Sequence, residues 1–364
     1  MNRIPTLDGW RGIAIALVLF DHIQDSLLGH YVRPWTSTGY LGVTMFFVLS
    51  GFLITGKLLE GPINFRHFYL RRVFRLMPAA WTYLGVLLLL THITGHPYTT
   101  LAEVQACVFF YRNFFGFMGL AGHFWSLSVE EQFYLVWPVT LLLAGVKRCR
   151  WIALFGAIAC ALFRWLFWPH FAHSFPAGPT FLHADGLLVG SFLAIMVSDP
   201  GNRSRIMRYS KLWAFPALFV LVLCVYIQRE ECLLFEQVSI AALIAATTFH
   251  PTSVFARPLS LLPLTWLGTV SYSVYLWQGL FMNFQSAWAI CLFMPLFALA
   301  SYYFIERPST RLGHRLTSAL PGRTLLQMQS QAGQMIPEFG TGYSTAENDK
   351  ASATVHKGAS KSII

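Results

Sequence analysis

The sequence has few charged residues for its length. Only 12% of its 364 residues are Asp, Glu, Lys or Arg, whereas 55% are hydrophobic. Soluble domains typically carry about 25% charged residues, so the composition favours several membrane-spanning helices in a lipid bilayer. The formal net charge is +10, but the basic residues collect in short loops between apolar runs. This arrangement is typical of membrane topology signals and argues against a nucleic-acid-binding protein.

Cysteine and histidine motifs for metal binding are also missing. The six cysteines lie mostly within apolar runs, and no two of them have the Cys-x-x-Cys spacing. We interpret them as small buried hydrophobic residues, without a disulfide framework. Two histidine pairs, His92 with His96 and His170 with His173, lack a third ligand at a clear spacing, so we expect no metal site.

Apolar runs predict an all-α membrane protein with about ten transmembrane helices in one bundle. The runs cover residues 7–28, 40–59, 76–93, 124–146, 151–168, 180–197, 213–227, 235–249, 265–283 and 287–305. A basic loop follows every even-numbered run, which predicts that both termini are cytoplasmic. The chain is therefore expected to be a multi-pass protein of the plasma membrane.

Two regions fall outside these ten runs. The run 101–117 is apolar but is interrupted by Arg112 and Asn113, and it is expected to form an interfacial or re-entrant helix. The polar residues 317–364 predict a disordered cytoplasmic tail, which leaves 1–316 as the transmembrane domain.

Arg11 and His22 share one face of the first apolar run. At about 100° per residue, eleven positions amount to three turns plus about 20°, so both side chains point the same way. Their axial separation of about 16 Å is near half the hydrocarbon thickness of a bilayer. Ionisable groups in a membrane usually face an interior cavity, and imidazole is suited to general-base catalysis. The pair predicts chemistry within the membrane. The alternative is that His22 is a structural histidine whose hydrogen bonds are satisfied within the helix bundle.

Three arginines lie near the predicted cytoplasmic face. Arg75 lies three residues after Arg72 and four residues after Arg71 on one predicted helix. Arginine binds phosphate through two parallel hydrogen bonds, so this group is suited to a phosphorylated substrate. The alternative is that the three arginines only set the topology or contact anionic lipid headgroups.

Polar residues also occur within the apolar runs of the predicted outer half. Glu130 is expected to orient His22 or to stabilise its charge. Arg164 and Asp185 are expected to form a buried ion pair, which either fixes the bundle or binds substrate. Gln278 lies at a similar depth in the ninth run.

Small residues interrupt two of the runs. One interpretation of Ser50, which precedes Gly51, is a nucleophile activated by His22. The other is that Ser50-Gly51 allows close helix packing or a bend, as Gly186 and Gly190 do in the sixth run.

At this point the motifs resemble a known family. The chain is similar to the integral-membrane acyltransferase type 3 family over residues 5–313. The resemblance is carried by LDGWRGIA at 7–14, His22, FFVLSGFL at 46–53, Arg72 and Arg75 followed by Pro78, WSLSVEEQFY at 125–134, Gly190 with Leu193-Ala194, SYSVYLW at 271–277, and ERP at 306–308.

The resemblance implies a ten-helix bundle that transfers an acyl group, commonly acetyl, from cytoplasmic acyl-CoA to a sugar hydroxyl at the outer face. Arg11 and His22 match the family's essential pair, and Arg72 and Arg75 match arginines thought to hold the coenzyme. Tyr134, within the WSLSVEEQFY motif, is an expected substrate-binding residue. Acyl-CoA is a co-substrate, and no bound cofactor is expected.

The sequence departs from the family at two positions. Gln278 stands where the family often has His, and His183-Ala184-Asp185 stands where the run often carries Arg. The expected mechanism is direct transfer, with His22 as base and Ser50 or Gln278 as oxyanion donor. An acyl-imidazole intermediate on His22 is equally open.

Two other functions compete with acyl transfer. A transporter of a sugar or lipid could use the same polar residues, but we find no internal repeat of the kind typical of transporters. A non-catalytic membrane receptor or assembly partner is the second alternative.

Overall fold

The computed structural model describes residues 4–28, 38–61, 65–115, 119–171, 179–281 and 292–318, and these ranges contain helices and connecting loops but no β-strand. The predicted all-α fold is confirmed for them. The predicted tail lies outside the described residues apart from 317 and 318, and the tenth run is described only from residue 292. In chain order the helices are α1 Pro5–Leu28, α2 Thr38–Leu59, α3 Phe65–Thr94, α4 Leu101–Val108, α5 Phe124–Ala144, α6 Val146–Phe171, α7 Asp185–Ser198, α8 Pro200–Ile227, α9 Leu233–Phe249, α10 Ala256–Leu259, α11 Leu262–Phe281, α12 Met294–Ser301 and α13 Arg307–Ser318.

Several helices are suited to a bilayer. Among the described residues, α2, α3, α8 and the segment Val146–Phe167 of α6 are long and apolar enough to cross a membrane, and α7 and α9 are shorter apolar helices. α1 is not among them because Asp8, Arg11, Asp21 and Asp25 interrupt its apolar sequence. Length and composition therefore support a multi-pass membrane protein but do not by themselves establish ten spans.

The interrupted run 101–117 is described as far as residue 115, and this part forms α4 and a short 3₁₀ turn, Arg112–Phe114. α4 begins with a capping box, in which Thr100 and Glu103 satisfy each other's backbone N–H groups. The two polar residues that interrupt the run are both buried. Arg112 pairs with Glu103 at 3.4 Å, and Asn113 Oδ1 accepts a hydrogen bond from Gln132 of α5 at 3.0 Å. These contacts hold the segment against the middle of α5.

Glycines allow the central helices to pack backbone against backbone. A Cβ placed on Gly51 of α2 would lie 1.9 Å from the Leu187 carbonyl oxygen, and one on Gly190 of α7 would lie 2.0 Å from the Val48 carbonyl oxygen. Close approach of this kind is typical of small residues in membrane helices. The packing interpretation of Gly190 is thus confirmed, and Ser50 is carried on a helix with little freedom to move.

The chain beyond α12 contains a π-helical turn, Tyr302–Glu306, directly before α13. The buried Glu306 carboxylate accepts a hydrogen bond from Ser273 of α11 at 2.7 Å. π-turns inside helices frequently occur at functional sites.

We expect Gly190→Ala to destabilise the protein. The new methyl group would overlap the α2 backbone, and overpacking of this kind costs about 1–3 kcal/mol. The measurement is the melting temperature of detergent-purified protein. Gly85→Ala in α3 is the matched control, because nothing lies within 4 Å of a Cβ at that position. Equal melting temperatures for Gly190→Ala and the wild type would contradict the packing argument.

Candidate active site

A cavity of about 630 Å³ lies between α2, α3, α5 and α11. One end is cationic and is bordered by Lys57, Arg71, Arg75 and residues of α13; we call this end the basic mouth. The other end is uncharged and is bordered by Ser126 and Tyr275, whose hydroxyls are hydrogen-bonded at 2.6 Å. The predicted residues that line this cavity are Arg11, Ser50, Arg71, Arg72, Arg75, Glu130 and Tyr134.

Arg72 lines the cavity and contacts two carboxylates and an aromatic ring. Its Nε donates to Glu131 Oε1 at 2.9 Å, and its Nη2 lies 4.0 Å from Glu130 Oε2. Its guanidinium also stacks on the Tyr134 ring, 3.2 Å from the ring centroid. Opposite charges and an aromatic face together stabilise a guanidinium. The charge of Arg72 is therefore already neutralised by the protein. An arginine that is available to bind a phosphate group would not have such partners.

Arg75 has the opposite character. It is exposed to the cavity, and it makes no ion pair within the described part of the chain. Arg71 donates from Nε to Thr317 of α13 at 2.7 Å, and Arg11 lies 3.8 Å from Asp8. Arg71 and Arg75 thus both line the cavity without an ion pair within the described part of the chain, and Arg75, which is one turn from Arg72, is the more exposed of the two.

Ser50 and Glu130 form a hydrogen-bonded pair in the wall of the cavity. Ser50 Oγ donates to Glu130 Oε1 at 3.0 Å, and the Tyr134 hydroxyl donates to Glu130 Oε2 at 3.2 Å. Glu130 therefore accepts two hydrogen bonds and lies 4.0 Å from Arg72. Among the described residues it makes no hydrogen bond to His22, and its expected role in orienting His22 or stabilising its charge stays a prediction.

His22 is oriented instead by its own helix. Its Nδ1 lies 2.7 Å from the Val18 carbonyl oxygen, one turn earlier in α1. A carbonyl can only accept, so Nδ1 must carry the proton, and in the neutral ring Nε2 carries the lone pair. The backbone thereby selects the tautomer that a general base requires.

His123, at the start of α5, links His22 to the cavity. Its imidazole is within electrostatic range of His22 and packs edge-on against the Tyr275 ring at 5.5 Å between centroids. A Cβ on Gly279 would lie 2.6 Å from the imidazole, so glycine is required for this placement. Sequence reasoning missed His123. The available signal was its position two residues before the WSLSVEEQFY motif.

Four predicted residues are not among those that line the cavity: His22, Arg164, Asp185 and Gln278. Arg164 of α6 donates to Asp185 at 2.5 Å and also to the Leu182 carbonyl oxygen, and both members of the ion pair are buried. The predicted pair is present, and it joins α6 to the start of α7. Gln278 is buried in α11, and neither of its amide atoms has a hydrogen-bond partner among the described residues. His183, next to the pair, accepts or donates at 2.9 Å with Tyr40.

No group of three His, Cys, Asp or Glu side chains suited to a metal occurs within the described ranges. A cationic mouth leading to a wall of hydroxyls and one carboxylate is suited to an elongated ligand with an anionic head.

Comparisons with known proteins identify the family of the chain. A family model described as an acyltransferase domain matches residues 4–308. "Putative peptidoglycan O-acetyltransferase YrhL" of Bacillus subtilis is 32% identical over 361 residues, covering 86% of this chain and 56% of that protein. "Peptidoglycan O-acetyltransferase OatA" of Listeria monocytogenes is 30% identical over 312 residues, covering 76% of this chain and 49% of that protein.

The chain spans about half the length of the curated relatives that it matches. No solved structure matches it. The family match does not favour the transporter alternative. With the motifs in family order and the family model covering nearly the whole described bundle, the chain belongs to the acyltransferase domain family.

Proposed function

We propose that this chain is a membrane O-acyltransferase that moves an acyl group, most simply acetyl, from acyl-CoA to a sugar hydroxyl. The acceptor would be an extracytoplasmic or lipid-linked glycan. The single observation that carries the proposal is the cavity, whose basic mouth leads to a buried hydroxyl and carboxylate wall. Family membership and two relatives named as peptidoglycan O-acetyltransferases support the same reaction class.

The donor would enter through the basic mouth. Its phosphate groups would bind to Arg75, Arg71 and Arg11, which line the cavity. The pantetheine arm would extend past Ser50 and place the thioester near Ser126 and Tyr275. The positive-inside distribution of basic residues supports a cytoplasmic mouth in the plasma membrane, with both termini on that side.

The proton transfer would be performed by His22. Its Nε2 takes the proton from the acceptor hydroxyl while that oxygen attacks the thioester carbonyl. The tetrahedral intermediate then collapses, the C–S bond breaks, and the CoA thiolate leaves and takes up a proton. The hydroxyls of Ser50, Ser126 and Tyr275 line the cavity and would turn from their protein partners to stabilise the oxyanion. A relay in which His22 first becomes an acyl-imidazole uses the same residues.

We expect His22→Gln to lower the acetyl-transfer rate at least about 100-fold, the usual contribution of a general base. The measurement is transfer from labelled acetyl-CoA in proteoliposomes, at equal protein amounts. His92→Gln is the matched control because His92 is exposed at the end of α3. If His22→Gln retained the wild-type rate, the assignment of His22 as base would fail.

We expect the two arginines of the Arg72-x-x-Arg75 motif to behave differently. Arg75→Gln removes an unpaired charge from the mouth, so CoA should bind about 10–100-fold more weakly at an unchanged melting temperature. Arg72→Gln leaves Glu130 and Glu131 without their partner, so the melting temperature should fall.

Calorimetric titration with CoA and thermal melting, performed on both variants, separate these outcomes. The distinction would be refuted if Arg72→Gln kept the wild-type melting temperature and lost CoA affinity as Arg75→Gln does.

A further inference from the structure

The basic mouth is completed by a helix that lies almost wholly beyond the family match. The family model ends at residue 308, whereas α13 continues to Ser318. Thr310 and His314 of α13 both line the cavity. They are four residues apart and so lie on one face of the helix. This face of α13 therefore forms part of the cavity wall although the family pattern does not include it.

α13 is fixed against the helix that carries the arginines. Arg71 of α3 donates to Thr317, whose side chain is fully buried. Gly313 is buried against Phe74 of α3, where an added Cβ would lie 2.7 Å from the Phe74 Cβ. Two contacts on either side of His314 thus set its position relative to Arg71 and Arg75.

Cationic groups surround His314 from two other helices. Partial burial, together with Arg71 and Arg75 of α3 and Lys57 of α2, lowers the pKa of His314 below its ordinary value. His67 of α3 and Glu60, which follows α2, line the same end of the cavity. The positive charge of the basic mouth therefore exceeds the negative charge of Glu60. This excess favours the neutral form of the His314 imidazole while no anion is present.

We propose that Thr310 and His314 belong to the donor-binding site and bind phosphate groups of the acyl donor, with His314 taking up a proton as the anion binds. The identity of the donor rests on the proposed function. Thr310 supplies a hydroxyl donor, and protonated His314 adds a charge-assisted hydrogen bond to phosphate. An anion beside Arg71, Arg75 and Lys57 offsets their repulsion of the imidazolium, so binding and protonation favour each other. The donor's affinity is thereby higher at low pH.

The test is calorimetric titration of the detergent-purified full chain with CoA at pH 6 and pH 8, in buffers of different ionisation enthalpy. We expect His314→Gln to bind CoA about tenfold more weakly at pH 6, a loss consistent with one charge-assisted hydrogen bond. Proton uptake should also fall relative to the wild type. The ligand's own phosphate titrates in both proteins, so the difference between them isolates His314.

Arg315→Gln is the matched control, since Arg315 is exposed on the same helix and does not line the cavity. It removes a full charge and should leave CoA affinity and proton uptake unchanged. Thr310→Val provides a second test of the same face and should also weaken binding. Melting temperatures measured in parallel identify any variant that has lost its fold.

The possible results distinguish two failures. If wild-type protein binds CoA and His314→Gln binds it equally, with the same proton uptake, the role of α13 is overturned and the donor assignment stands. If wild-type protein transfers acetyl groups but binds no CoA, the donor assignment itself fails. Weaker binding by His314→Gln that is matched by Arg315→Gln would indicate long-range charge alone and would overturn the site.

Discussion

The contact between Arg72 and the two carboxylates of α5 is the constraint on which the site depends. Glu130 and Glu131 follow one another in a helix beside an apolar core, where an uncompensated carboxylate is costly. The Arg72 guanidinium pairs with both carboxylates and also stacks on the face of the Tyr134 ring. With Arg72 paired in this way, Arg71 and Arg75 are the arginines of α3 that line the cavity without an ion pair among the described residues. The neighbouring Glu130 also contacts α2, where its Oε1 accepts a hydrogen bond from Ser50 at 3.0 Å.

Arg11 and His22 lie on one face of α1, yet Arg11 lines the cavity whereas His22 is not among its lining residues. His22 is within electrostatic range of His123, whose imidazole packs against Tyr275, the residue that forms the hydroxyl wall of the cavity with Ser126. In the proposed reaction, this wall would separate the compartment that holds the donor from the region that the acceptor reaches. Hydroxyl groups are suited to such a boundary, since they can bond to each other when no substrate is present and to a carbonyl oxygen when one is.

Much of the fold and part of the site could be predicted from the sequence. Composition and apolar runs indicated helices throughout, and the small residues around Gly190 indicated close packing, because both signals are local. The roles of Arg72 and Arg75 could not be separated, since a spacing of three residues sets their relative direction on α3 but not which partners α5 presents. The partner of Glu130 was likewise not predictable, because Ser50 is eighty positions away in sequence. His123 was missed because its position two residues before a motif does not show that Gly279 and Tyr275, distant in sequence, pack around it.

The π-helical turn at Tyr302–Glu306 governs which side of α13 meets the cavity. A π-turn is an α-helix with one additional residue, and each residue advances the helix by about 100°. Every side chain after Glu306 is therefore rotated by roughly that angle relative to a regular helix. The direction in which Thr310 and His314 point therefore depends on the number of residues in the π-turn. With one residue fewer, the same α13 sequence would direct these side chains along the bundle surface. A single-residue deletion at this turn would change the wall of the cavity without altering any residue that lines it.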